Sequence, residues 1–416
     1  MDETKTINKI NELLEEHNVW RKKECLNLIA SENVTSPEAD RLSVSDLSHR
    51  YAEGKPFHRH YQGLGFVDEI EALTQDLMKN LFRAKKVDLR VLSGTLANAA
   101  VFKGITNRGD NIISSSIPNG GHVSHTQHGI CDVVGLTDYA FPFDYDEMNI
   151  DVDKTIKLIE EKNPKILLFG ASLFLFPHPV EELADTAKSH DAYVMYDAAH
   201  VLGLIAGGRF QDPLKEGADV MSSSTHKTFF GPQGGIIFGG DSLGDEEWKN
   251  IENAIFPYFV CNHHLHRLPV LAQAAYELSQ YGSDYADQTI KNAKTLAEEL
   301  HTFGFDCLAE HKGFTQSHQV VLNVEKNGGG KTVAELLEKN NIILNKNFLP
   351  GEKITKENMN NPAGIRIGVQ EMTRCKMKAD EMKHIAELIK KAVVDKKDVK
   401  AEVVEFRKNY TEVGFC

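Results

Sequence analysis

Apolar positions recur at helical spacing over residues 7–20, where Ile7, Ile10, Leu13, Leu14 and Val19 fall along one side, so the chain is predicted to open with an amphipathic helix. In a large protein such an arm often packs on a second subunit. The stretch LNLIASENVTSP (26–37) follows and ends in capping and turn residues. HRYAEGKPFHRHYQGLG (49–65) then breaks the pattern, mixing Tyr51, Glu53, His58, His60 and Tyr61 with four glycines or prolines. That mixture suits a loop lining a site, or a merely polar connector. The helical period returns over 67–82, and from Val87 onward short apolar runs alternate with helical stretches.

The runs 89–92, 111–114, 165–169, 193–196, 218–222 and 235–238 are the predicted strands. Their alternation with helices argues an α/β domain with a mainly parallel sheet covered on both faces. Ligands of such sheets bind beyond the carboxyl ends of the strands. The polar stretch 281–287 marks a boundary. After it come a helix (287–301), a strand (318–324), a glycine turn (328–330), a helix, strands at 342–345 and 365–369, and a last helix near 379–393, a smaller α+β domain. The expected division is a helical arm (1–30), a large domain (31–284) and a small one (285–416), in keeping with a chain of 416 residues.

Composition adds exclusions. Lys plus Arg is 47 against 60 Asp plus Glu, a net charge of −13, which disfavours binding nucleic acid through bulk charge. The six cysteines are scattered, with no pair at the spacing of a zinc knuckle or redox motif, so a reducing cytoplasm is expected. The polar start has no apolar core of signal-peptide type, and no run of eighteen apolar residues occurs, so neither export nor a membrane span is expected.

Three charged residues stand alone in apolar or hydroxylated surroundings. Lys227 is the only formally charged side chain between Asp219 and Asp241, just after a predicted strand. A poorly solvated amine loses its proton easily and can hold an aldehyde as a Schiff base. Asp197, alone between Asp191 and Arg209, ends another strand. It either caps the next helix or needs a buried partner such as a protonated pyridine nitrogen. Arg366, alone between Glu357 and Glu371, offers a rigid fork for a substrate carboxylate or for a structural ion pair. Together these are the handles of pyridoxal phosphate carrying an amino acid. Ser93, Gly94 and Thr95, at a strand-to-helix turn, could bring backbone amides to a phosphate, although any helix can be capped this way. His122, His125 and His128 are spaced by threes, and His263, His264 and His266 cluster later. No cysteine or carboxylate accompanies them at ligand spacing, so no metal is expected, and an imidazole can instead stack on a planar ring.

With these residues in view the chain resembles the serine hydroxymethyltransferase family, pyridoxal-phosphate enzymes of the aspartate-aminotransferase fold type. The resemblance rests on LIASEN (28–33), HRYAEGKP (49–56), RHYQG (59–63), SGTLAN (93–98), GGHVSH (120–125), YDAAHVLGLIAGG (196–208), STHKT (224–228), GPQGG (231–235), LNKN (344–347) and GIRIG (364–368). FPHPV (176–180) and the NHHLH run make it most similar to archaeal, methanogen-type members. The resemblance implies that Lys227 carries the cofactor aldehyde, Asp197 pairs with the pyridine nitrogen, His122 stacks on the ring, and His200 and Ser172 bond the ring oxygen and its surroundings. It implies that Ser93, Gly94, Thr95, Thr225 and His226, with Tyr51 of a neighbouring subunit, hold the cofactor's phosphate end. It further implies that Arg366, Ser31 and His200 orient the substrate carboxylate, while Glu53 and Tyr61, across a dimer interface, handle proton transfer at the serine hydroxyl and at a reduced pterin.

Several positions depart from the folate-using pattern of that family. Gln233 stands in place of the arginine of GPRGG, Asn262 and His263 replace a glycine-proline stretch, His60 replaces one tyrosine of a pair, and VQEMTR (369–374) replaces TPAxTR. These changes leave the amino-acid chemistry intact and point to a carrier of the tetrahydromethanopterin type. A pterin-independent threonine or β-hydroxy-amino-acid aldolase is the alternative within the same chemistry, and a binding or regulatory protein that keeps the pocket is the alternative outside it.

Overall fold

The computed structural model describes residues 3–416. The predicted opening helix is α1 (Glu3–Val19), whose stripe of Ile7, Ile10, Leu13 and Leu14 is 53–58% exposed within this chain. The segment behind it turns inward. Leu26–Asn27 pairs in parallel with Ile342–Ile343, and Leu26 and Leu28 are buried in the C-terminal core. The arm is thus anchored to the small domain, although it precedes the large one in sequence.

The large sheet contains β1 (Lys86–Asp88), β2 (Asn111–Ser114), β3 (Thr137–Ala140), β4 (Ile166–Phe169), β5 (Tyr193–Asp197), β6 (Val220–Ser224) and β7 (Gly235–Gly239), in the spatial order β1-β7-β6-β5-β4-β2-β3. β7 runs antiparallel to both neighbours and every other pairing is parallel. Alternate side chains of the central strands feed two cores. Leu167, Phe169, Val194 and Tyr196 enter one, while Ile166, Leu168 and Met195 enter the other. A strand buried on both faces reads as an unbroken apolar run, which is why these were predictable.

Two strands differ from expectation. β3 is an edge strand of sequence TDYA with both ends exposed, so it lacks the apolar run that marked the others. The first strand ends at Asp88, short of the predicted 89–92. Residues 89–91 stay buried beside it, and Gly235 N still donates to Val91 O at 3.0 Å. The chain leaves the ladder where the Asp88 carboxylate accepts the Arg90 guanidinium and backbone N–H.

The polar stretch 281–287 is not a break. It lies inside one long helix, here α2 (Arg267–Thr302), of 36 residues. Gly282, Tyr285, Ala286 and Thr289 are buried, the spacing of one helical face, while Ser283 and Asp287 bond Arg209 from the other. Gly207 lets its segment press against this helix, because an added Cβ there would sit 2.3 Å from Gly282 O. Tyr285 and Ala286 belong to the large core, and Ala293 and Leu296 to the small one, so the helix itself joins the two. Beyond it β8 (Asp306–Cys307), β9 (Gln319–Asn323), β10 (Asn345–Asn347) and β11 (Gly364–Gly368) form an antiparallel sheet in the order β8-β9-β11-β10, backed by α3 (Ala379–Val393). The small domain is α+β, as its pattern predicts.

A buried ion pair closes the joint. Arg374 bonds Glu277, with side-chain exposures of 0% and 2%, and its guanidinium lies 3.6 Å from the Phe230 ring centroid. The same group donates to the carbonyls of Gly414 and Phe415, which holds the C-terminal tail in place. Removing one partner of such a pair strands the other charge in a dry interior. Arg374→Leu is therefore expected to destabilise the fold by about 3–5 kcal/mol in denaturant unfolding, and adding Glu277→Gln should restore much of that loss.

Candidate active site

The loops after β4, β5 and β6 meet the helix Gly94–Ile105 around a cavity of about 160 Å3. Ser93, Gly94, Thr95, His122, Ser172, Asp197, His200, His226 and Lys227 all line it, together with Asn98, Ser124, His125 and Ser224. This is the carboxyl end of the parallel strands, where the sheet's geometry puts ligands. Ser93 caps the helix by accepting from Leu96 N at 3.2 Å. An added Cβ on Gly94 would lie 3.2 Å from Ser224 N, so only a very small residue lets the helix start press against the end of β6. The free N–H groups at the start of a helix suit an anion.

Asp197 ends β5 and accepts three hydrogen bonds. Its Oδ2 accepts from His125 Nε2 at 2.9 Å and Asn98 Nδ2 at 2.8 Å, and its Oδ1 accepts from Ala199 N at 3.0 Å. Burial opposes its ionisation, but these hydrogen bonds and the nearby Lys227 charge prevail, holding the carboxyl well below the usual range. Three of about four acceptor positions are used, which leaves one on Oδ1 for a donor in the cavity. Asp197 is thus both a local cap and a buried carboxylate. Asn98 is itself fixed by Ser222 Oγ, which donates to its Oδ1 at 2.6 Å.

Lys227 follows β6 on a clamped turn. Asn33 Nδ2 donates to Lys227 O at 2.7 Å, Tyr285 Oη donates to Thr228 O at 3.0 Å, and Thr228 Oγ1 donates to His200 O at 2.7 Å. Burial pushes the amine down to about 8 against the opposing pull of Asp197, and Arg366 pushes the same way as burial. His122 accepts at Nδ1 from Ser124 N, and burial, then His125, holds it down at about 4, so it stands neutral in the cavity wall. Ser224 Oγ and His226 Nδ1 are buried there with no partner among the described residues.

Arg366, inside β11, is buried. Nη1 donates to Ser172 O, and Nε and Nη2 lie 3.3 Å from Asn345 Oδ1. Among the described residues no carboxylate lies within ion-pair distance of it, so the structural ion pair considered from sequence is not what occupies it. Ser31 lines a second, larger cleft of about 870 Å3, shared with His226 and Gln233. Thr225 is buried beside the cavity, but its hydroxyl donates to Pro232 O at 2.6 Å. Tyr51, Glu53 and Tyr61 are not brought to this cavity. The tyrosine rings sit 5.2 Å apart, 45% and 47% exposed, on a loop held by Arg59 through Asp68 and Glu71.

The departures from the family pattern have definite places. Asn262 clamps the loop that carries Tyr51, accepting from Ala52 N at 2.8 Å, and His263 bonds Glu71 at 3.0 Å. His60 packs on Phe256, ring to ring at 5.8 Å. Gln370 holds the 29–32 turn through the carbonyls of Ile29 and Glu32. Glu371 accepts from Asn27 at 2.6 Å, is pushed up to about 7 by burial, and borders the larger cleft with Gln233. The residues missed from sequence, among them Asn33, Asn98, His125, Tyr285 and Gln319, are partners of the predicted ones. They lie far away in the chain, and only the presence of Asn33, Asn98 and His125 within recognisable motifs marked them.

The fold, the buried lysine beyond β6 and the carboxylate beyond β5 define a pyridoxal-phosphate enzyme of fold type I. The cradle fits that cofactor: a helix amino end with two unpartnered polar groups suits a phosphate, and the free acceptor position of Asp197 suits a ring N–H. Residues 4–389 match the serine hydroxymethyltransferase family, and the chain belongs to it. It is a pyridoxal-phosphate-dependent transferase. Serine hydroxymethyltransferases of archaea are similar throughout: 51% identity for Saccharolobus islandicus (99% of this chain, 94% of the relative), 50% for Staphylothermus marinus (98% and 93%) and 50% for Metallosphaera sedula (100% and 96%). Among solved structures, L-threonine transaldolase from Pseudomonas fluorescens in its internal aldimine state superposes with a TM-score of 0.89 at 28% identity, over 98% of this chain and 92% of that one.

Only the neutral amine of Lys227 attacks an aldehyde, and it is neutral above its pKa of about 8. In cofactor-free protein, the rate at which added pyridoxal phosphate develops its lysine-bound visible absorbance is expected to rise through about pH 8 and level off above it. A rate independent of pH across that window would show that the amine is not held this way. Lys227→Ala should give no such band.

Proposed function

We propose that this chain interconverts serine and glycine by passing the hydroxymethyl carbon to a reduced pterin of the tetrahydromethanopterin type, as a cytoplasmic homodimer with shared active sites. The observation that carries the amino-acid half is Arg366, a buried guanidinium without a counterion beside the cavity that holds Lys227. With Nη1 on Ser172 O and Nε and Nη2 near Asn345 Oδ1, two of its five N–H groups remain for the serine carboxylate, with Ser31 and His200 as secondary donors.

Pyridoxal phosphate, when bound, supplies an aldehyde for amines and a ring that takes up the electron pair released at the amino acid's α-carbon. Lys227 would hold that aldehyde, and as a free amine of moderate basicity it would be suited to carry a proton at the α-carbon. Asp197, kept ionised by His125 and Asn98, retains the proton on the ring nitrogen. Ser93, Gly94, Thr95 and His226 bind the phosphate, His122 covers the ring, and Ser172 and His200 face its oxygen. Glu53 and Tyr61 of a second copy move the proton at the serine hydroxyl, and Tyr51 of that copy reaches the phosphate. The exposure of Tyr51 and Tyr61 away from their own cavity supports this sharing.

The carrier assignment rests on the departures. Gln233 and Glu371 border the cleft that opens beside Ser31 and His226, giving it a different polar lining from the GPRGG and TPAxTR pattern. A second reading, cleavage of β-hydroxy amino acids without pterin, is favoured as a side activity by the similarity to a threonine transaldolase. Placement in the cytoplasm is supported by six free cysteines and, among the described residues, no helix long and apolar enough to cross a membrane.

Turnover of serine is expected to be faster with tetrahydromethanopterin than with tetrahydrofolate, and equal or faster turnover with tetrahydrofolate would overturn the carrier assignment. Allo-threonine should be cleaved slowly without either; cleavage outpacing serine turnover would favour the aldolase. Arg366→Leu should raise the KM for serine by about 10- to 100-fold, the worth of a charge-assisted hydrogen bond. Mixing Lys227→Ala with Glu53→Gln subunits, each nearly inactive alone, should restore part of the activity. No recovery after verified subunit exchange would count against shared sites.

A further inference from the structure

Behind the cavity, on the small domain, stands Gln319, the first residue of β9, with no exposed surface. Its amide is fully used. Oε1 accepts from Phe174 N at 2.9 Å, and Nε2 lies 3.0 Å from Ser172 O and 3.1 Å from His200 Nδ1. The orientation of the amide is dictated by its partners, because the Phe174 N–H can only donate and the Ser172 carbonyl can only accept. Hence an N–H points at His200 Nδ1, and that nitrogen must offer a lone pair.

The neighbours leave no other arrangement. His318 stacks on His200 with centroids 5.6 Å apart, and its Nε2 must donate to Ala30 O at 3.1 Å. Its 3.4 Å approach to Gln319 Nε2 is therefore a meeting of two donors and carries no proton between them. A charged imidazole at His200 is disfavoured, since burial and the surrounding Lys227, Arg366, His318 and His122 all oppose a second positive charge. With Nδ1 an acceptor and the ring neutral, the one ring proton sits on Nε2. Among the described residues no protein group bonds that nitrogen, and His200 lines the cavity.

We propose that Gln319 is a positioning residue that locks His200 in its Nε2–H tautomer, so that the imidazole presents the cavity with a hydrogen-bond donor and never an acceptor. The complementary ligand group is an electron-rich oxygen, a phenolate or a carboxylate. Ser172 O accepts from both Gln319 and Arg366, so β9 and β11 grip the same loop, and the donor of His200 is set by the domain that also supplies the carboxylate fork. The inference rests on this cavity being the active site, but not on which pterin serves it.

The test is 15N NMR of the full-length protein labelled at histidine, recorded without cofactor and then with it, with His200 assigned from the signals lost in His200→Asn. The wild type is expected to show one neutral His200 species with its proton on Nε2, unchanged in tautomer when the cofactor is added. Gln319→Glu, which turns an acceptor toward Nδ1, should move the proton to Nδ1 or leave the ring doubly protonated, and Gln319→Leu should give a mixture of tautomers. A wild-type His200 that is Nδ1–H, mixed or charged near neutral pH would overturn the inference, and would do so even if neither variant folds. So would a Gln319→Glu spectrum identical to the wild type. The tautomer is read without turnover, so failure of the carrier assignment would leave this result untouched.

Discussion

An ammonium group just beyond β6 is poorly hydrated, and most of the site exists because of that. Lys227 lines a cavity of about 160 Å3, burial leaves its ammonium form poorly solvated, and its proton is held correspondingly loosely. The same dryness that frees the amine would destabilise every other polar group nearby unless each had a partner. Hence the dense bonding around it: Asp197 takes three donors, Asn98 is fixed from both ends, and His122 accepts from Ser124 while burial, then His125, holds it neutral. Individually such bonds add about 1 kcal/mol. Their larger effect is to leave only a few polar groups open to the cavity.

Keeping that cavity in shape takes residues from the whole length of the chain. The Lys227 turn is gripped by Asn33 from the amino-terminal segment, by Tyr285 from the long helix and by Thr228 through His200. Tyr285 in turn packs edge-on against Phe415 of the tail that Arg374 secures. The small domain adds Gln319 and Arg366, both bonded to the Ser172 carbonyl. A shift of one domain on the other would therefore change the carboxylate fork and the polarity of His200 together.

Much of this was legible in advance, for different reasons in different places. Central strands such as 166–169 were readable because burial on both faces demands an unbroken apolar run. The edge strand 137–140 was not, because its exposed positions tolerate polar residues. The stretch 281–287 does not interrupt the helix as its averaged polarity suggests, because that average hides a periodic face, with Gly282, Tyr285 and Ala286 buried on one side of an unbroken helix. Lys227, Asp197 and Arg366 stood out by isolation of charge, a local property. The partners of Asp197 did not, since His125 and Asn98 are 72 and 99 positions away.

The amino-acid order by itself determined the α/β class, the positions of the central strands and the three isolated charges, because burial and charge isolation are written residue by residue. Motif resemblance added the family. Tertiary structure alone decided which donor each buried acceptor would meet: that Arg366 would find no carboxylate, that Asp197 would keep one acceptor position free, and that Gln319 would face Nδ1 of His200. Those pairings join residues tens to hundreds of positions apart. Local preference carries no information about them, and only close packing brings the groups within the roughly 3 Å at which a hydrogen bond forms.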